Sequence, residues 1–90
     1  MEITFDPVKR DKTLRERRLD FLDAREVFAG HTYDWEDRRF HYGEVRMITV
    51  GTLRGRMVVV VWTGRGEGRR IISMRKANER EQAYYREFLG

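Results

Sequence analysis

Apolar residues in the first thirty positions follow a helical period, and after His31 the period shortens to two. Ile3 and Phe5 flank one polar residue and suggest a short opening strand. Asp6-Pro7 reads as a helix start: an aspartate side chain accepts from the orphan amides, and proline suits the first helical position. That helix runs to about Arg17 with few apolar positions, Val8 and Leu14. Asp20 caps a second helix, in which Phe21, Ala24, Val27 and Phe28 share one face before Gly30 closes it.

Tyr33 and Trp35 then alternate with polar residues, and Glu44 to Thr52 forms the next strand. Thr52 to Arg56 is a turn. Met57 to Trp62 is apolar on both faces, as a central strand requires. Thr63 to Gly68 is a glycine-rich hairpin connection, and Arg70 to Arg75 is the last strand. The short connections demand antiparallel neighbours. Asn78, with Glu81 three residues on, opens a terminal helix to about Leu89 through a capping-box variant. The expected fold class is therefore α+β: a short strand, two helices, an antiparallel sheet of about four strands, and a C-terminal helix. We expect Val58, Val60 and Trp62 in the central strand and helices on one face of the sheet.

Ninety residues fit one small domain, residues 1–90. With 40% of the residues apolar and 38% charged, its core is thin, and stabilisation by a partner is expected. The absence of cysteine excludes disulfides, thiol catalysis and thiolate zinc sites. No apolar run reaches the length of a membrane span, and the opening residues lack the layout of a signal peptide, so a soluble, cytoplasmic protein is expected.

The charge is unevenly placed. Residues 1–45 carry nine basic and eleven acidic groups, whereas residues 46–90 carry ten and four. From Arg46 to Lys76, eight basic residues face a single carboxylate, Glu67. Sixteen of the nineteen basic residues are arginine, whose planar fork suits two phosphate oxygens. Such a balance fits a polyanionic partner such as nucleic acid and equally an arginine-rich genomic base composition, and it says little about fold.

Strict strand alternation places Arg46 with Ile48 and Val50. It also sets Ile71, Ser73 and Arg75 on one face, opposite Arg70, Ile72 and Met74. A single arginine there is explained by snorkelling, with its stem on apolar neighbours and its head in water. A set on adjacent strands makes a phosphate-binding surface competitive. Gly64 to Arg69 lacks the Gly-Lys-Ser/Thr ending of a phosphate loop and precedes a strand, so a hairpin tip is the better reading. His31 and His41, among Asp34, Glu36, Asp37 and Glu44, fit no metal-ligand spacing, and a solvated acidic loop is expected. Tyr33, Trp35, Phe40 and Tyr42 suit base stacking or, more commonly, packing.

Arg70-Ile71-Ile72-Ser73-Met74-Arg75-Lys76-Ala77, followed by Glu81 and Tyr85, resembles the C-terminal signature of the BrnT-like toxins, a RelE-related family of small ribonucleases. The family's R-I-I-S-x-R-x-A run continues with Glu four residues after the alanine and Tyr four after that. Phe5-Asp6-Pro7-Val8-Lys9 is similar to its aromatic-Asp-Pro-x-Lys opening, and Phe21, Ala24 and Val27-Phe28 to its F-x-x-A-x-x-V-F helix. Gly43 to Gly51 resembles its acidic-Arg-x-x-x-I-G strand. The resemblance runs in register from Phe5 to Tyr85. It departs at Thr13, where the family often has Asn, at Glu16-Arg17-Arg18 in place of Lys-His-Gly, and at Val45-Arg46, where the glutamate is displaced to Glu44. No role of the family's histidine carries over.

The resemblance implies a RelE-like fold and a metal-independent endoribonuclease toxin without cofactor. It also implies hetero-oligomerisation with a small DNA-binding antitoxin. The chemistry is attack by a ribose 2′-hydroxyl on the adjacent phosphorus, which needs donors for the phosphate, a base and an acid. Arg46, Arg70 and Arg75 are the candidates for phosphate and transition-state charge. Tyr85, Lys9, Glu44 and the histidines compete for proton transfer, and Arg54, Arg56, Arg65, Arg69 and Lys76 are the further RNA-contacting candidates. Arg75 is expected to be exposed and dispensable for stability, the alternative being a strut to Glu81. A non-catalytic RNA-binding domain and a purely partner-binding protein share these arginines.

Overall fold

A computed structural model describes residues 1–89. Strand β1 (Ile3–Phe5) leads into helix α1 (Pro7–Arg17), and a 3-10 turn (Phe21–Asp23) leads into α2 (Ala24–Ala29). Four strands follow, β2 (Tyr33–Glu36), β3 (Arg46–Leu53), β4 (Arg56–Arg65) and β5 (Gly68–Lys76), and then α3 (Glu79–Leu89). The sheet order is β1-β5-β4-β3-β2, so β4 is central as its two-sided apolar run requires. β2 to β5 form the expected antiparallel meander, and β1 adds a fifth strand, parallel to β5. The sheet is therefore mixed.

Local signals explain the boundaries. Asp6 accepts from the Val8 amide at 2.9 Å with Pro7 behind it, and Asp20 accepts from Leu22 N at 3.0 Å. Asn78 and Glu81 cap α3 reciprocally: the Glu81 amide donates to Asn78 Oδ1 at 2.8 Å, and the Asn78 amide to Glu81 Oε1 at 2.9 Å. The β3–β4 turn is tighter than expected, with Arg54 and Gly55 at φ 49° and 83° as a two-residue hairpin demands.

The first face of the sheet packs Val58, Val60, Ile71 and Met74 against Leu19, Phe21, Ala24 and Val27. The second buries Ile48, Val50, Val59 and Ala77 beneath Trp35, Tyr85 and Leu89. Helices were expected on one face. Instead α3 crosses to the second, because Tyr85 and Leu89, one helical turn apart, find their apolar partners only there.

α1 ends on Arg18, held left-handed at φ 59° while its amide donates to the Leu14 carbonyl. A side chain with Cβ is strained in that conformation and glycine is not. Arg18→Gly should stabilise the protein by about 0.5–1 kcal/mol, the added chain entropy of glycine offsetting part of the gain. Thermal unfolding should show a rise of about 3–5 °C; an unchanged or lowered Tm would refute the strain.

Candidate nucleic-acid interface

The second face carries the charge. β5 contains a bulge: Val61 pairs with Ser73 and Trp62 with Ile71, leaving Ile72 unpaired. Strict alternation put Ile71 with Ser73 and Arg75, and Arg70 opposite them. The extra residue corrects that assignment, since Ile71 and Met74 both enter the first-face core. Arg70, which pairs with Thr63, then shares the second face with Ser73 and Arg75. Arg46 also pairs with Thr63, so Arg46, Thr63 and Arg70 form one row across three strands.

The three arginines nevertheless fall in two groups. Arg75 pairs with Val59, four residues from Thr63 on β4, which separates the groups by about 13 Å at roughly 3.3 Å per residue. At one end Arg46 donates to Glu44 at 3.2 Å and lies 4.1 Å over the Tyr42 ring, and Arg65 reaches the same Glu44 at 3.1 Å. Thr63 Oγ1 donates to the Val45 carbonyl, holding the chain beside them. Arg65 and Arg46 hold the Glu44 carboxyl below the usual carboxylate range, so it is ionised and a weak base at neutral pH.

At the other end Arg75 and Glu81 form a bidentate pair at 2.7 and 2.8 Å. The Arg75 side chain is 45% exposed. Its hydrogen bonds, with the Asn78 amide, pull the Glu81 carboxyl down to about 2. Arg75 is exposed, as expected, and it also braces β5 against α3 through Glu81, the strut that the sequence offers as the alternative. Tyr85 stacks on Trp35 at 5.5 Å with 15° between planes. Burial raises the Tyr85 phenol above its ordinary value and keeps it protonated.

Between Trp35 and Arg75 lies a cleft of about 440 Å³. Ile48, Val59 and Val61 of the sheet form its floor, and Ser73, Arg75 and Glu81 line it together with the run Glu36, Asp37, Arg38 and Arg39. The last two lie in what the sequence presents as a solvated acidic loop, and they are not among its candidates. The reason is Asp37, whose side chain is only 2% exposed. It accepts from Arg39 N, Nε and Nη2 at 3.2, 2.8 and 2.9 Å and from the Tyr42 hydroxyl at 2.9 Å. These donors hold its carboxyl far below the ordinary range, and the network fixes Arg39 beside the cleft. An Asx turn, with aspartate two residues before the residue whose amide it accepts, is the signal that was available.

The other candidates disperse. Arg69 lies on the first face, 4.0 Å over Trp62 and 4.4 Å over Phe28. Arg54 pairs with Glu26 at 2.9 Å and Asp23 at 3.4 Å beside α2. Arg56 opens β4 opposite Leu53, and Lys76 closes β5 opposite Val58. Lys9 lies on α1, in a groove next to the cleft. His31 and His41 are exposed, and no three of the histidines, aspartates and glutamates among the described residues gather as metal ligands.

Forked cations over an apolar and aromatic floor offer the two things single-stranded nucleic acid presents, phosphates and base faces. The family model of BrnT, the ribonuclease toxin of type II toxin–antitoxin systems, matches residues 5–81. The chain belongs to this family of ribonuclease toxins, and membership implies an RNA target and an antitoxin partner. No curated protein matches the chain. Among the described residues no helix is long and apolar enough to cross a membrane.

Proposed function

We propose that the protein is a metal-independent endoribonuclease toxin of the cytoplasm that cleaves RNA at the cleft between Trp35 and Arg75. The observation that carries the reading is the convergence of Arg75, Arg38 and Arg39 on an apolar floor that accepts a base. In this scheme the substrate's 2′-hydroxyl gives its proton to solvent water and attacks the adjacent phosphorus, the bond to the 5′-oxygen breaks as that oxygen takes up a proton, and a 2′,3′-cyclic phosphate remains. Arg75 carries the charge that develops on the phosphoryl oxygens, with Arg39 beside it, and Glu81 orients Arg75. Arg46, Arg65 and Arg70 hold the strand further along the face. Tyr85, stacked on the cleft residue Trp35 and kept protonated, is assigned to the leaving oxygen; Lys9 lies in the neighbouring groove, arginine cannot give up its proton and Glu44 is already ionised. A small DNA-binding antitoxin silences the toxin by laying an acidic or amphipathic element over this face.

Incubation of pure protein with RNA in excess chelator tests the reading. Fragments ending in a cyclic phosphate, and none from 2′-O-methyl RNA, are expected; intact RNA overturns it. Tyr85→Phe keeps the stack on Trp35 and removes only the hydroxyl. It should lower kcat by about 10²-fold or more, as loss of a general acid does, with Tm unchanged. Full activity in that variant removes Tyr85 from proton transfer.

A further inference from the structure

α1 is an odd helix for so small a protein, because none of its eleven residues is buried. Its position is fixed by few interactions, among them Arg17 Nη1 donating to the Met74 carbonyl of β5 at 3.0 Å. What the helix presents toward β5 is a groove of about 250 Å³. Lys9, Lys12, Thr13, Glu16 and Arg17 line one side, at the spacing of a single helical face. Phe21 and Ile72 line it as well, Ile72 being the unpaired residue of the bulge. Ser73 lines this groove and also the cleft that holds Arg75, so the two depressions share one residue of β5.

The cations of the groove differ from those of the cleft in one respect. Arg75, Arg39 and Arg38 are each paired with a carboxylate, as are Arg46 and Arg65 along the same face. Arg10, on α1 outside the groove, is paired with Asp20 and Asp11. Lys9, Lys12 and Arg17 make no ion pair among the described residues, and Glu16 is the one carboxylate lining their groove. A phosphate arriving at Arg75 competes with Glu81, whereas one arriving at Lys9 and Lys12 displaces only water and counterions. Free cations in a groove that shares a lining residue with the cleft are what a continuing polyanion requires.

We infer that the α1–β5 groove is a second phosphate-binding site, which takes the backbone of single-stranded RNA as it leaves the cleft over Ser73. The inference rests on the RNA-directed reading of the cleft. In it Lys9 and Lys12 grip phosphates as point charges, the Thr13 hydroxyl and the remaining Arg17 donors assist, and the groove reads no base. The bulge serves both sites, turning Arg70 toward the cleft face and sending Ile72 to the groove.

Fluorescence anisotropy with a labelled twelve-nucleotide 2′-O-methyl RNA, which offers no attacking hydroxyl, measures binding separately from cleavage. Lys9→Ala/Lys12→Ala should weaken binding about tenfold at low salt. It should also flatten the plot of log Kd against log salt by about 1.4, the share of two single-strand phosphate contacts. A three-nucleotide RNA, too short to leave the cleft, should bind both proteins alike. Arg25→Ala removes a charge from α2, outside both sites, and should leave the twelve-nucleotide RNA bound as before. Unchanged affinity and slope in the double variant, with Tm retained, would overturn the inference. So would a double variant that binds RNA normally and fails to bind the antitoxin, because the groove would then belong to the protein partner. A wild-type protein that binds the analogue and leaves native RNA intact defeats the ribonuclease reading, and the salt slope still decides the groove.

Discussion

Arg75→Ala should lose RNA cleavage by several hundredfold while the protein stays folded. A donor aimed at charge that develops in the transition state is worth about 3–4 kcal/mol. The same residue braces β5 against α3 through Glu81, but the Arg75 side chain is nearly half exposed and solvent screens the pair, so its loss costs about 1 kcal/mol of stability. A domain of this size tolerates that cost. The two roles separate by pH. Glu81 titrates near 2 in the folded protein against 4.5 for the free side chain. Its folded value is depressed, so the stabilisation is fully present above about 4.5 and is lost as pH falls from there toward 2. Arg75→Ala should flatten stability across that window. Arg75→Lys should restore part of the stability and little of the cleavage, since a point charge cannot reproduce the fork. An Arg75→Ala protein with wild-type cleavage would exclude the residue from the site. Loss of activity that only tracks loss of folded protein would reduce it to a strut.

Gly51→Val should damage the fold severely. A Cβ at position 51 lies 2.7 Å from Val27 Cγ1 and 3.1 Å from Thr32 Cγ2, inside the contact between β3 and α2. Val27 is fully buried, and a β-branched side chain in a helix has one strongly preferred rotamer, so it cannot turn aside. Overpacking of this kind costs about 3 kcal/mol, or a fall in Tm of more than roughly 10 °C. Gly51→Ala is the milder version. Paired with Val27→Ala it should be less destabilising than the two single changes summed, because the second substitution vacates the space that the first needs. Strict additivity would show that the close approach does not limit packing. The α2 face behind this contact also supports Phe28 and Trp62, beneath Arg69.

The sequence alone determined the order of elements and the centre of the sheet. Asp6-Pro7, Asp20 and Asn78 with Glu81 are local hydrogen-bonding devices, and they act where the chain carries them. Met57 to Trp62 had to be central because both its faces are apolar. The RNA-directed class was legible in the arginine run and in the signature from Arg70 to Tyr85, and the family match bears it out.

Tertiary structure decided the rest, wherever the cause lay in a partner distant along the chain. β1 has only three residues, and its parallel alignment depends on β5, a strand near the other end of the chain. The bulge at Ile72 is a mismatch between two strands, so alternation along one strand could not reveal that Arg70 and Arg75 share a face. Arg39 reaches the cleft because Asp37 is buried against Tyr42, and burial is a property of the assembled molecule. The same holds for charge. Composition counts Lys12 and Arg75 alike, and only the folded arrangement leaves one free and commits the other to Glu81.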